Sequence, residues 1–283
     1  MKNFLIVHLE LVLNTLKFRG FRFMLRYLGN ALRIRLLPRT GGGVAQVFGH
    51  QFYYQNKGSI THLFIEMFGH NAYYFVTKSA KPVIIDIGAN VGDSLLYFKQ
   101  LYPESKIYAF EPNPQALALL RKNVGVNKFN DVEIFDHALG TQEGEIELFD
   151  DASGMAVLST TSREFLDQTI GFIPDSKGLV SYQVPTRQLS NMPFFKELAQ
   201  VDLLKMDIEG GELEVIEDVE PHLHKVRQVI MEFHMMPDPK NNSFDTLVGI
   251  LRRNNFTVNV MQMYRDENNI SNDVIFLINA IKK

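Results

Sequence analysis

The chain has 283 residues, 46% of them hydrophobic, no cysteine and a formal net charge of −3. That length holds one α/β domain of ordinary size plus an extension, and the apolar fraction supports a sizeable core. Without cysteine, disulfides, thiolate metal sites and cysteine nucleophiles are excluded. The charge is unevenly placed: residues 1–40 carry eight Lys/Arg against the single acid Glu10, a balance of +7 that leaves −10 for the rest. An acidic body argues against a nucleic-acid groove, so no nucleic-acid partner is expected.

Phe4 to Leu16, FLIVHLELVLNTL, is apolar but interrupted by His8, Glu10 and Asn14. It is too short to span a bilayer and no small-residue cleavage site follows it, so a cytoplasmic location is expected. Arg19, Arg22, Arg26 and Arg33 then fall at i, i+3, i+7 and i+14, within one narrow helical arc, while Phe18, Phe21, Leu25, Leu28 and Leu32 mostly occupy other faces. Residues 1–43 thus read as a basic amphipathic helical extension. Its alternatives are a solvated face that caps the sheet or mediates dimer contacts, and a peripheral contact with an anionic membrane or a lipid-linked glycan. Gly41-Gly42-Gly43 marks a linker, not a phosphate loop, because no buried strand precedes it. Residues 44–80 are aromatic-rich and read as a lid or substrate-side segment, with His50, His62 and His70 as packed or surface histidines.

Residues 81–283 read as the catalytic domain. Val83-Ile84-Ile85 is the charge-free run of a strand buried on both faces, and Gly88 and Gly92 bracket a turn into the helix that opens at Asp93. Backbone amides at such a helix start face a ligand. A dinucleotide fingerprint reads GxGxxG, but here the turn reads DxGxNxG, with Asp86 at the strand end and Asn90 in the second glycine's place. An acid there suits a ligand carrying an ammonium and a sulfonium better than a pyrophosphate. The second strand, IYAFEP, ends in Glu111, placed to accept hydrogen bonds from ribose hydroxyls. Together these favour S-adenosylmethionine over NAD.

Asn113 and Pro114 cap and open a helix that runs to about Val124. Val132 to Ala138 is the third strand, whose end puts His137 and Ala138 beside the adenine. Residues 139–200 form an insertion with alternating Glu145–Phe149 and Val180–Val184, an added strand pair, and with Ser162 capping a short helix near Phe165. Val201–Ile208 and Val226–Phe233 are strands four and five, Ser243 caps a helix through Arg252, and Phe256–Tyr264 with Val274–Ile281 close the sheet as an antiparallel hairpin. Five parallel strands with a terminal hairpin make the α/β, Rossmann-like, doubly wound sheet of class I methyltransferases.

DIGANVG, YAFEPNP, HALG and LLKMDIEGGE, in this order over about Pro82–His234, closely resemble the FkbM family of S-adenosylmethionine-dependent methyltransferases. The resemblance implies O-methylation of hydroxyls on sugars, glycans or natural products. It implies cofactor positions at Asp86, Gly88, Ala89, Asn90, Gly92 and Glu111, and it puts Asp207, Glu209 and Glu212 in the family's D-x-E-G-x-E element. Gly211 stands where alanine is usual. Asp207, Glu209, Glu232 and His234 converge from the ends of strands four and five, with Asp207 or His234 as base or hydroxyl-orienting group. Glu209 and Glu212 also fit simply as acids in a helix's first turn. A hard divalent cation on these carboxylates is a further expectation that oxygen ligands suit but no spacing demands. The rival readings are a non-catalytic binding or scaffold module and an N-methyltransferase, whose NPPY-like residues are matched only by Asn191-Met192-Pro193-Phe194, ahead of the fourth strand.

Overall fold

The computed structural model describes residues 19–38, 41–151, 160–163, 178–235, 243–264 and 275–283. The apolar segment Phe4–Leu16 and the helix expected near Phe165 lie outside them. Helix α1 (Phe21–Arg35) turns Tyr27, Asn30 and Ile34 inward on one stripe. Asn30 accepts the Phe48 N–H at 2.8 Å and Arg26 donates to the Phe48 carbonyl at 3.1 Å. Those two bonds hold the tip of the following hairpin, β1 (Gly43–Val47) and β2 (His50–Tyr54). Gly43, read as the end of a linker, opens β1, where a Cβ would stand 2.8 Å from the Tyr54 hydroxyl oxygen. Helix α2 (Lys57–Phe64) runs directly into a π-helical turn, Ile65–His70, closed by Asn71 in the left-handed region.

The aromatics of residues 44–80 do more than cover a finished domain. Phe48, Phe52, Tyr54, Phe64, Phe68, Tyr73 and Phe75 are all buried, and they pack with Ile84, Ile107, Leu203 and Ile230 to form the core on one face of the main sheet.

The sheet itself begins at β3 (Val83–Ile87), followed by α3 (Asp93–Leu101), β4 (Lys106–Phe110), α4 (Pro114–Val126) and β5 (Val132–Phe135). Two strands, β6 (Ala138–Leu139) and β7 (Gly144–Asp151), pair with β8 (Leu179–Arg187) in a separate three-stranded sheet of order β6-β8-β7. The third strand expected through Ala138 therefore breaks at Asp136-His137: its first part joins the main sheet and its second pairs with β8. The chain returns through α5 (Pro193–Glu197), β9 (Leu203–Met206), α6 (Glu212–Val219), β10 (Gln228–His234), α7 (Phe244–Arg253), β11 (Phe256–Tyr264) and β12 (Ile275–Lys282). The main sheet has the order β11-β12-β10-β9-β3-β4-β5. Its five strands from β10 to β5 are parallel, and β12 and β11 add antiparallel at the β10 edge. This is a class I methyltransferase sheet. Ile84 and Ile107 face one core while Ile85, Ile87 and Phe110 face the other, which is why these runs carry no polar alternation. Among the described residues no helix is long and apolar enough to cross a membrane.

Helix starts follow their capping residues. Asn113 accepts from the Gln115 and Ala116 N–H groups at α4, and Ser243 accepts from Thr246 at α7. Asn113 is fully buried and also donates to Asp150 on β7, tying the second sheet to the first. Asn113→Ala is expected to lower stability by about 1–2 kcal/mol from the lost cap, with the lost bond to Asp150 adding to it. An unchanged urea midpoint would remove both roles.

Candidate active site

The parallel order reverses at β3, which lies between β4 and β9, so the carboxyl ends of these strands open a crevice. The turn after β3 is built for close approach. Gly88 has φ 78, and a Cβ there would lie 1.8 Å from the Asp207 carbonyl oxygen. Asn90 is also left-handed, at φ 47, a conformation its side chain tolerates better than most, so asparagine stands where a dinucleotide fingerprint needs glycine. Ala89, fully buried, donates to the Phe110 carbonyl and accepts from Gly92, which caps α3 at φ 94.

The crevice is open to solvent, and together with the solvent space at its mouth it comes to roughly 750 Å³. Of the residues singled out from the sequence, Gly88, Asn90, Glu111, His137, Ala138, Asp207 and Glu209 line it. Asp86, Ala89, Gly92 and His234 do not. Glu111 is held by two backbone donors, the Asn90 N–H at 2.7 Å and the Asn113 N–H at 2.8 Å, leaving acceptor capacity on both oxygens. Burial pushes its carboxyl up to about 7. Asp86, assigned from the sequence to the cofactor's positive charges, points into the sheet. It accepts from Ser94 at 2.5 Å and pairs with Lys205 at 3.1 Å. Lys205 also donates to the Gly88 carbonyl at 2.6 Å, so Asp86 acts on the glycine turn through this lysine.

Glu209 does not sit in the first turn of a helix. It lies in the loop ahead of α6 with φ 54, a strained position for a non-glycine residue, and its carbonyl is pinned by the Thr160 hydroxyl at 2.7 Å. Burial raises its carboxyl to about 8, with nearby His234 opposing that rise. His234, the other candidate base, is only 2% exposed: its Nδ1 lies 3.1 Å from Glu212 and its Nε2 3.2 Å from Glu209. Burial disfavours its charge, but the two carboxylates outweigh burial and raise its pKa well above the ordinary value. His234 does not line the crevice, and its two ring nitrogens lie against Glu212 and Glu209, a placement that suits bracing Glu209 better than meeting an acceptor.

Beneath these groups Tyr73 reaches in from the aromatic segment. Its hydroxyl donates to Glu232 at 2.6 Å and stands 3.3 Å from Asp207. Glu232 in turn hydrogen-bonds Glu66 of the π-helical turn, and burial raises both carboxyls, Glu66 to about 7. A divalent cation would find Asp207, Glu232 and His234 with one donor atom each, all within 4.8 Å of one another. These donors are already engaged by Tyr73, Glu66, Glu209 and Glu212, so the arrangement does not fit a resident cation. The Asn191–Phe194 segment, the look-alike of an N-methyltransferase motif, is structural: the Phe194 ring stacks on Tyr108 at 4.0 Å between centroids.

The sequence pattern described as the Methyltransferase FkbM domain matches residues 86–258, more than half of the chain. This chain belongs to the FkbM methyltransferase family. It is similar to the methyltransferase sdnD of Sordaria araneosa, at 30% identity over 64% of this chain and 77% of that one. The 2-O-methyltransferase NoeI of Sinorhizobium fredii is 30% identical over 58% of this chain and 68% of its own. The 31-O-demethyl-FK506 methyltransferase FkbM of Streptomyces tacrolimicus is 26% identical over 72% and 84%.

The crevice of this FkbM methyltransferase fits S-adenosylmethionine on its own residues. Glu111 presents free lone pairs beside the glycine turn, where it would accept from ribose hydroxyls. His137 lines the crevice with a buried Nε2 that has no hydrogen-bond partner among the described residues, a group that an adenine edge would satisfy. Because Glu111 must be ionised to accept from both hydroxyls, affinity for the cofactor is expected to rise with pH through about 7 and then level off, with proton release on binding. Calorimetry in two buffers of different ionisation enthalpy checks this; binding without proton exchange at pH 6 would refute it. Glu111→Ala should weaken binding by about 1.5–3 kcal/mol.

Sequence reasoning missed Lys205, Tyr73 and Glu66. Lys205 left a signal, a lone cation inside the apolar run LLKM. Tyr73 left none, since its neighbourhood is aromatic throughout.

Proposed function

We propose that this enzyme transfers the methyl group of S-adenosylmethionine to a hydroxyl oxygen of a sugar, glycan or natural product. The observation that carries the reading is Glu209, a carboxylate held in a strained loop against the crevice with its carboxyl raised to about 8, next to Asp207. When bound, S-adenosylmethionine supplies a methyl on cationic sulfur that needs little further activation. The chain's own work is then positioning and proton removal. Glu209 takes the hydroxyl proton as oxygen attacks, and a raised pKa makes it a stronger base than an ordinary carboxylate. Asp207, steadied by Tyr73, orients the hydroxyl. His234 and Glu212 hold Glu209 from behind, and Glu212 also accepts the Gly210 N–H at 3.0 Å, fixing the loop. The names of NoeI, a 2-O-methyltransferase, and of the Streptomyces 31-O-demethyl-FK506 methyltransferase both refer to O-methyl positions and support oxygen as acceptor.

The test is product analysis with hydroxyl-, amine- and thiol-bearing acceptors, followed by mass spectrometry of surface glycans and lipid-linked intermediates with and without the gene. A methyl ether is expected. Methylation confined to nitrogen would overturn the reading.

A further inference from the structure

Helix α1 packs by a narrow inner stripe and leaves a continuous apolar face outside. Phe21, Leu25, Leu28, Leu32 and Leu36 follow one another at helical spacing along its length and are 62%, 52%, 41%, 59% and 76% exposed. An exposed row this long is unusual on a soluble surface, and its borders are basic. Arg22 and Arg33 stand exposed along one edge, while Arg26 on the same side is partly committed to the Phe48 carbonyl. No Asp or Glu occurs anywhere from residue 11 through residue 65. The remaining body is acidic, so its own field turns it away from any anionic surface that this helix approaches.

We propose that α1 docks the protein on an anionic phospholipid membrane, with the Phe21–Leu36 stripe entering the headgroup boundary and Arg22 and Arg33 pairing with lipid phosphates. The apolar row and the arginine edge together are what an interfacial helix presents: a non-polar face to insert and cations at headgroup depth. Neither alone explains the other. A solvated cap needs no leucine row, and a symmetric contact of this stripe with the same stripe of a second copy would bring arginine edges together with no acid in the helix to meet them. The inference is independent of the acceptor.

The test is co-sedimentation of the full chain with vesicles of phosphatidylserine and phosphatidylcholine, against phosphatidylcholine alone. Binding to the anionic vesicles only is expected, reversed by salt as screening shortens the reach of the arginines. Arg22→Ala/Arg33→Ala should weaken it by about 25-fold, fivefold per arginine. Leu25→Ser/Leu32→Ser, both at exposed positions, should abolish it with unchanged circular dichroism. Absence of binding by the wild type, equal binding to neutral vesicles, or undiminished binding by the arginine variant would overturn the proposal. So would a light-scattering result in which the leucine variant converts a dimer to a monomer while the wild type ignores vesicles; the stripe would then be a subunit interface.

Discussion

Replacing Lys205 by methionine is expected to destabilise the protein by about 3–5 kcal/mol, the cost of removing one partner from a buried ion pair. The lysine is 2% exposed on β9, at the centre of the sheet. Burial alone opposes its charge, but Asp86, Asp207 and Asp93 around it reverse that and raise its pKa above the ordinary value. Methionine matches its volume but leaves Asp86 with Ser94 as its remaining hydrogen-bond donor and frees the Gly88 carbonyl from its 2.6 Å donor. Two losses therefore coincide, one electrostatic and one in the glycine turn. The urea midpoint and melting temperature read the first; cofactor affinity reads the second. Adding Asp86→Asn to the variant should recover much of the stability, because the uncompensated charge goes with it. If Lys205→Met unfolds at the wild-type midpoint, the surrounding acids are neutral in the native state and the pair has no weight.

The largest kinetic effect is expected at Glu209. Glu209→Gln keeps the shape of the side chain and removes the base, so turnover should fall by about 10²–10⁴ while cofactor affinity stays within a few-fold. The pH profile carries the sharper signature. With its folded pKa raised to about 8, the carboxyl is protonated on the acid side and idle as a base. Wild-type turnover should thus climb with pH and level off above about 8, whereas the glutamine variant should show no such climb. An equally steep profile in the variant would move the base elsewhere, with Asp207 next in line. Asp207→Asn tests that alternative directly.

The parts of this molecule that local chemistry dictates could be read from the chain. Val83–Ile87, the glycine turn, the Asn113-Pro114 start and the Ser243 cap each carry their own signal, and the sheet order follows from a chain of buried strands alternating with helices. What needed three dimensions was the pairing of residues far apart. Asp86 looks like a ligand-facing acid until Lys205, more than a hundred residues later, is seen beside it. His234 looks like a free base until Glu209 and Glu212 are found on its two nitrogens. Strand three reads as continuous because Asp136 and His137 do not disrupt the pattern, yet the chain changes sheets there to pair with β8, a partner no local signal names. Tyr73 belongs to the site only because the aromatic segment folds under it.

Glu111 in the crevice, with Glu66 and Asp93 behind it, ties the fate of the donor to its charge. Burial holds Glu66, Asp93 and Glu111 each near 7 in the folded protein, above the values they take in the unfolded chain. Their contribution to stability is therefore complete only below about pH 4, where the unfolded carboxyls are protonated too, and it is lost progressively as pH rises from there through about 7. A ligand carrying net positive charge relieves that growing repulsion, so it should raise the melting temperature more at pH 8 than at pH 6. Methyl transfer turns the cationic sulfur into a neutral thioether, and the relief ends with it. The spent cofactor then faces a pocket that attracts it less than it attracted its precursor, which favours exchange of product for fresh donor after every turnover.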